Sequence, residues 1–65
     1  MDEDIATLRG QAEGGRAAYR AGTIGRARAA ELVGPYLDAA NTRSRALAAQ
    51  YGQRPRLLTL GAYLR

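Results

Sequence analysis

The sequence lacks several residue types on which enzymes, metal sites and disulfide scaffolds depend. Its 65 residues include no cysteine and no histidine, which excludes disulfides, Cys/His zinc sites and catalysis by a thiol or an imidazole. Tryptophan, phenylalanine and lysine are also absent, so all ten positive charges are arginine. No apolar run approaches the about 20 residues that span a bilayer. These absences predict a protein without cofactors, membrane contact or a small-molecule substrate.

Large apolar side chains are scarce for a chain of this size. Hydrophobic residues make up 46% of the sequence, but 14 of these 30 are alanine, and only eight leucines, two isoleucines and one valine remain beside four tyrosines and one methionine. Domains of about this length are marginally stable even with ordinary cores, and many need disulfides, metals or oligomerisation. The composition therefore predicts a chain that depends on protein partners, on copies of itself, or on both.

Charge is distributed unevenly along the chain, whose net charge is +4. Residues 1–13 carry a net charge of −3 and residues 14–65 a net charge of +7, and from Asn41 onward there are five arginines and no acid. The acidic start differs from the basic start of a signal peptide, so we expect the cytoplasm of the producing cell. Complementary charges at the two ends of the sequence favour head-to-tail contacts among copies.

Two segments show the periodicity of a helix with one buried face. Apolar and small residues recur at spacings of three and four, at positions 5, 8, 12, 15 and 19 and again at positions 37, 40, 44, 47 and 51. Gly22 and Gly52 follow these segments and suit the left-handed residue that ends a helix. An acid among residues 2–4 can cap the free amides of the first helix.

Pro35 lies inside the second helical segment. Because proline has no amide hydrogen and its ring crowds the preceding turn, the helix either kinks there or ends and restarts. We predict an all-α fold, a helical hairpin of residues about 3–20 and about 24–51 with a kink or break at Pro35. Residues 1–52 form the hairpin body, and residues 53–65 form an extended C-terminal arm.

The predicted arm combines a basic hinge with an apolar end. Arg54-Pro55-Arg56 breaks the helix, because the residue before a proline is held extended. Chain ends are usually polar and frayed, so an apolar one must fold back on the hairpin or dock on a partner. The candidate partner-binding residues are Arg54, Pro55, Arg56, Leu57, Leu58, Leu60, Tyr63, Leu64 and Arg65.

The carboxylates do not form a convincing catalytic or metal site. Glu31 and Asp38 are the only acids beyond residue 13, and their spacing of two helical turns is roughly 10 Å. That distance exceeds the separation of about 5–9.5 Å in glycosidases, so we interpret them as solvated acids that pair with Arg28 or Arg45. The run Asp2-Glu3-Asp4 lacks the ligand spacing of a calcium loop. We predict no catalytic residue and no metal site.

Nucleic-acid binding is the alternative that the arginines support. A domain with a pI above about 9 and clustered arginines has the charge needed to neutralise phosphates, and the pI here is about 10.4. The candidate contacts are Arg16, Arg20, Arg43 and Arg45. However, the basic residues are spread along the chain, and no aromatic residues are interleaved with them as a stacking platform.

The C-terminal part resembles the tails of small structural proteins of tailed bacteriophages. The pattern is Asn41-x-Arg43-Ser44-Arg45-x-x-Ala48-x-x-Tyr51-Gly52-x-Arg54-Pro55-Arg56, ending in Gly61-Ala62-Tyr63-Leu64-Arg65. Small head-completion and head–tail joining proteins of this group insert a basic C-terminal tail into a neighbouring ring. The resemblance implies a place in the virion and a docking role for Arg54, Pro55, Arg56, Tyr63 and Arg65.

Together these features predict a non-enzymatic structural subunit that binds protein partners or copies of itself in a larger assembly. The specific form of this hypothesis is a small phage connector or accessory protein. The alternative is a small basic DNA- or RNA-binding regulator. Salt separates the two, because phosphate contacts weaken steeply with salt, whereas contacts that bury leucine and tyrosine do not.

Overall fold

Three helices account for the regular secondary structure of residues 4–65, the part of the chain that the computed structural model describes. Helix α1 spans Ile5–Arg20, helix α2 spans Arg26–Tyr51 and helix α3 spans Leu60–Leu64. Residues 4–65 contain no strand. The predicted all-α class is confirmed, and α1 and α2 begin and end within two residues of the predicted bounds.

Local capping interactions set the ends of α1. The carboxylate of Asp4 accepts a hydrogen bond from the amide of Ala6 at 3.2 Å, which satisfies one of the free amides of the first turn. The other two acids that we proposed as caps, Asp2 and Glu3, lie outside the described residues. At the other end Gly22 is left-handed, with a φ of 78°, and the amide of Thr23 donates to the carbonyl of Ala18 at 3.0 Å. This is the glycine stop that the sequence predicts.

Helix α2 is a single helix of 26 residues with Pro35 inside it. Of the two alternatives predicted at Pro35, a kink or a break, the continuous helix excludes the break. Ala29 and Val33 before the proline and Leu37 after it lie on one buried face, and continuing the helix keeps all three against α1. The ring of Pro35 is exposed on another face, where it does not disturb this packing.

The hairpin core depends on small residues that let the two helices approach closely. Leu8, Ala12 and Gly15 are the buried residues of α1. A Cβ atom placed on Gly15 would lie 2.8 Å from the Cβ of Leu32 on α2, closer than real Cβ contacts. The glycine of the predicted buried face is therefore required by packing, not by backbone conformation.

The end of the chain folds back on the hairpin. Residues 53–59 have no regular secondary structure, and α3 follows, capped by the hydroxyl of Thr59, which accepts a hydrogen bond from the amide of Ala62 at 3.2 Å. Leu64 is only 4% exposed and joins the core. The prediction of an extended arm is therefore wrong for residues 60–64. These residues form α3 because burying their apolar side chains against the hairpin is favourable.

Helix α2 is longer than its partner in the hairpin. At 1.5 Å per residue α1 is about 24 Å long and α2 about 39 Å, so the C-terminal part of α2 extends past the start of α1. Accordingly Leu47 and Tyr51, predicted on the buried face, are exposed, while Ala48 is buried. The periodicity correctly predicts the helix, but it places Leu47 and Tyr51 of the last turns on a buried face when they are exposed.

The folded chain is flat. Its principal dimensions are 41, 27 and 14 Å, and the smallest is close to the thickness of one helix with side chains. Its accessible surface of 4865 Å² exceeds the about 4,000 Å² expected for a compact 7.0 kDa protein. A layer of this thickness has little interior, which agrees with the shortage of large apolar residues.

Candidate functional site

Four large hydrophobic side chains are exposed within residues 4–65, and all four belong to the same part of the chain. Leu47 is 47% exposed, Tyr51 68%, Leu57 47% and Leu58 40%. Leu47 and Tyr51 lie one turn apart on α2, and Leu57 and Leu58 follow in the segment that returns from it. We call these four residues the apolar end surface. Contiguous exposed apolar patches, unlike single exposed leucines, are typical of interaction surfaces.

A groove lies beside these residues, where the chain reverses direction. Gly52 adopts the left-handed conformation, with a φ of 64°, and ends α2. The amide of Gln53 then donates to the carbonyl of Ala48 at 2.8 Å, which turns the chain back. The result is a cavity of about 350 Å³ lined by Ser44, Leu47, Ala48, Tyr51, Gln53, Arg54, Pro55 and Arg56.

The side-chain amide of Asn41 attaches the returning segment to α2. Its Nδ2 donates to the carbonyl of Leu58 at 2.9 Å, and its Oδ1 accepts from the amide of Leu58 at 2.7 Å. Two hydrogen bonds to one residue reproduce the pairing of a neighbouring β-strand. This contact holds the main chain of Leu58 beside Asn41, ten residues before the end of α2, and nothing in the sequence indicated it.

Arg54 and Arg56 line the groove beside the apolar end surface, and Arg43 and Arg45 precede Leu47 on the same helix. Arg43, Arg45, Arg54 and Arg56 are all exposed, and no acid follows Asp38 in the sequence. The ion pairs formed within residues 4–65 are Arg9 with Glu13 and Arg28 with Glu31, so these four arginines have no carboxylate partner there.

The hairpin also changes what the charge asymmetry of the sequence means. Ile5, at the start of α1, and Arg43, in the second half of α2, line one cavity. The start of the first helix and the basic part of the second are thus at the same end of the molecule. The acidic start and the basic part of the sequence are therefore not at opposite ends of the folded chain.

The predicted partner-binding residues divide into two groups in the structure. Residues 54–58 are exposed and lie in or beside the groove. Leu60, Tyr63 and Leu64 instead pack on the chain's own core. The main-chain oxygen of Arg65 accepts hydrogen bonds from α1. In this conformation the second group is already engaged within the chain.

A second cavity, of about 560 Å³, lies between α1 and the end of the chain. We call it the arginine–tyrosine cleft; it is lined by Arg9, Glu13, Arg16, Ala17, Arg20, Tyr36 and Tyr63. Arg16 Nη2 donates to the main-chain oxygen of Arg65 at 2.6 Å, and Arg20 Nη1 donates to the same oxygen at 3.3 Å. The Arg16 guanidinium carbon lies 5.8 Å from the centroid of the Tyr63 ring, within cation–π range.

Tyr63 is held in the cleft by its aromatic neighbour. Its ring centroid lies 6.0 Å from that of Tyr36, with the rings tilted by 55°, an arrangement favourable for aromatic pairs. Burial, and secondarily the negative charge of Glu13, raise the pKa of the Tyr63 hydroxyl above its ordinary value of 10.0. Arg16 opposes this shift without cancelling it. Tyr63 therefore stays a neutral hydroxyl through the physiological range.

Three of the four arginines proposed as nucleic-acid contacts line two adjoining cavities, which share Arg9, Glu13 and Tyr36. Arg16 and Arg20 bind the main-chain oxygen of Arg65. Arg43 lines a different cavity, near the start of α1, and Arg45 is exposed on α2. A four-arginine stripe along one helix is absent from the described structure.

The remaining carboxylates are simple surface groups. Glu31 accepts a hydrogen bond from Arg28 at 2.8 Å, one of the pairings that the sequence predicted, and Asp38 is exposed. Residues 4–65 do not bring three carboxylates together. Within the same residues, no helix has the length and apolar character needed to cross a bilayer.

The apolar end surface and the arginine–tyrosine cleft are thus the two places where unusual side chains gather. Sequence reasoning found the arginines and leucines of both but missed Leu47 and Tyr51, whose exposure has no local signal. Comparisons of the chain with models of protein families, with curated proteins and with solved structures find no match. The function is therefore inferred from the sequence and from the described structure.

Proposed function

We propose that this chain is a non-enzymatic structural subunit that binds a protein partner in a larger assembly. The observation that carries the proposal is the apolar end surface, in which Leu47, Tyr51, Leu57 and Leu58 are each exposed. Burying a leucine or tyrosine in an interface contributes about 1.5–3 kcal/mol, and tyrosine is among the residues enriched where binding energy is concentrated. These side chains do little for the hairpin, so their apolar surface is available to a partner.

The charges around this surface define the partner further. Arg43, Arg45, Arg54 and Arg56 are exposed, and charge complementarity accelerates and orients association. We therefore expect a partner that presents apolar side chains flanked by aspartate or glutamate. A second copy of this chain is less suitable at this surface, because two arginine-rich surfaces would face each other.

The setting that we propose is a phage particle, with this chain as a small connector or accessory protein of the virion. Support comes from the resemblance of residues 41–65 to the tails of such proteins. It also comes from the exposure of Arg54, Pro55 and Arg56. In this proposal residues 53–59 act as the arm that reaches a neighbouring subunit.

We also propose that α2 bends at Pro35 without breaking. Proline lacks the amide that would donate to the carbonyl of Glu31, and its ring crowds that carbonyl. A bend there would set the direction in which the end of α2 leaves the hairpin. Residual dipolar couplings of the α2 amides test this: two helix axes that differ by more than about 20° are expected, and one straight axis would contradict it.

The experiment that tests the binding function is a pull-down from the native source in about 0.5 M salt, where the Debye length is only a few Å. Wild type should retain a defined protein partner, and a variant with Leu47→Ser and Tyr51→Ser should lose it by more than about 100-fold in affinity. Ala49→Ser, an exposed change on the same turn of α2, is the control and should bind normally.

The same experiment addresses the alternative of a DNA- or RNA-binding regulator. The exposed Arg43 and Arg45 are the observation that favours it. A phosphate binder loses affinity linearly with the logarithm of salt concentration and would not respond to the loss of Leu47 and Tyr51. Recovery of nucleic acid alone, with binding lost at high salt, would replace the protein-binding proposal.

A further inference from the structure

We propose that the arginine–tyrosine cleft is a binding site for an oxyanion group, a carboxylate or a phosphate. This inference concerns α1 and α3 and is independent of the apolar end surface. It begins with a convergence of donors: Arg16 and Arg20, one turn apart on α1, both donate to the main-chain oxygen of Arg65, at 2.6 and 3.3 Å. Two guanidinium groups aimed at one oxygen form the arrangement that recognises carboxylates and phosphates in proteins.

The positive charge of the cleft exceeds the negative charge available to it. Three arginines and one glutamate line the cavity, and Glu13 is engaged by Arg9, whose Nε lies 3.0 Å from its Oε1. Like charges at positions i and i+4 of a helix repel each other, as do Arg16 and Arg20. The oxygen of Arg65 to which both guanidinium groups donate, even counted as part of an ionised carboxylate, offsets only one of these two positive charges. A bound anion would neutralise the positive charge that remains.

The guanidinium of Arg16 also has more donors than acceptors. A guanidinium carries five N–H groups, and the recorded hydrogen bond of Arg16 uses one of them. Its Nε is buried without a hydrogen-bond partner among the described residues, and an unsatisfied buried donor destabilises the fold. Additional acceptor oxygens near this side chain would relieve that deficit.

Aromatic packing fixes the donors before any ligand arrives. The ring of Tyr63 lies against the Arg16 guanidinium, and the same ring packs against that of Tyr36. A donor that is already ordered loses less entropy on binding. The space is also sufficient, because about 560 Å³ falls within the range of about 300–1,000 Å³ usual for ligand clefts. The cleft therefore suits an oxyanion attached to a larger group as well as a free ion.

Titration of the ¹⁵N-labelled full chain with inorganic phosphate, at an ionic strength kept constant with chloride, tests the proposal. The side-chain Nε–Hε signals of Arg16 and Arg20 should shift and saturate, while those of Arg45 and Arg54 should not. A parallel titration with acetate separates the two sources of oxyanion. Saturation by either ion supports the site and identifies its chemistry, whereas shifts that remain linear with both ions would overturn it.

Two variants and one control sharpen the test. Arg20→Gln removes an exposed donor and should weaken binding about tenfold, since hydrogen bonds to a charged group contribute about 1.5–3 kcal/mol. Glu13→Gln removes the competing negative charge and should strengthen binding, a gain that misfolding cannot produce. Arg45→Gln, which removes an arginine outside the cleft, should leave binding unchanged. Equal weakening by Arg20→Gln and Arg45→Gln would show attraction to net charge alone and would refute the site.

Discussion

The two halves of the hairpin both carry apolar side chains, but one half buries them and the other exposes them. In the half next to the turn, Ala12, Ala29 and Val33 are completely buried, and α3 closes the core with Leu64. At the other end Leu47 and Tyr51 are larger than those alanines yet exposed. We call these regions the packed half and the exposed end. The comparison teaches that burial here follows the presence of a neighbouring helix, not the size of the apolar side chain.

The length difference between the helices explains where one region gives way to the other. The packed half stops where α1 begins. Because α1 is ten residues shorter than α2, the last turns of α2 have no part of α1 beside them. In the last turns of α2, residues 44–51, Ala48 is the one buried residue. Asn41 lies at this border and attaches the main chain of Leu58. The packed half therefore carries most of the stability, and the exposed end is free to bind.

The strongest test of this comparison places a carboxylate in each region. Val33→Asp should unfold the chain, because an unpaired buried charge costs several kcal/mol, comparable to the whole stability of a small domain at about 5 kcal/mol. Leu47→Asp, at the exposed end, should change the free energy of unfolding by less than about 0.5 kcal/mol. Circular dichroism during urea denaturation measures both. Equal loss of helicity in the two variants would contradict the division.

Two neighbouring glycines of α1 give a matched test of close packing. Gly15→Ala should destabilise the chain by about 1–2 kcal/mol, because overpacking against Leu32 costs about 1–3 kcal/mol and exceeds the gain in helix propensity. A Cβ atom on Gly14 would meet nothing within 4 Å. Gly14→Ala should therefore stabilise the chain by about 1 kcal/mol. Changes of the same sign in thermal denaturation would show that the helices do not approach as described.

Removing the Asn41 contact should release the returning segment while the hairpin stays folded. Asn41→Ala eliminates two hydrogen bonds to the main chain of Leu58, but both freed groups are then solvated, so the loss should be about 1 kcal/mol. Hydrogen exchange of the Leu58 amide should accelerate, whereas the amides of α1 should not change. Thr42→Ala, an exposed neighbour on α2, is the control. Unchanged exchange at Leu58 in Asn41→Ala would refute this role.

The smallest expected effect concerns pH and the docking of α3. The pKa of Tyr63 is raised in the folded chain, so above pH 10.0 the unfolded chain loses this proton first. The stability that the raised pKa of Tyr63 contributes is therefore fully present below pH 10.0 and is lost as the pH rises through the folded-state pKa. Tyr63→Phe should remove this part of the decline, whereas Tyr51→Phe, at the exposed end, should not. Urea denaturation from pH 9 to pH 11.5 measures the difference in slope.

Much of the secondary structure was predictable because its signals are local. The cap at Asp4 and the stops at Gly22 and Gly52 act on amides and carbonyls within a few residues along the chain. The periodicity of α1 correctly identified its buried face, since α2 lies beside its whole length. At Pro35 the sequence predicted a kink or a break, and the break is excluded because contacts between helices act there as well as the local signal. A local rule for proline was outweighed by packing of the face that includes Val33 and Leu37.

The sequence by itself thus determined the helical class, the ends of the two long helices and the basic, apolar character of the last residues. Only the tertiary structure decided which of those residues are buried. It docked α3 on the core, exposed Leu47 and Tyr51, and brought two arginines to the oxygen of Arg65. The physical reason is distance along the chain: Asn41 meets Leu58 across 17 residues and Arg16 meets Arg65 across 49. Such contacts depend on how whole helices pack and leave no pattern in the neighbouring residues.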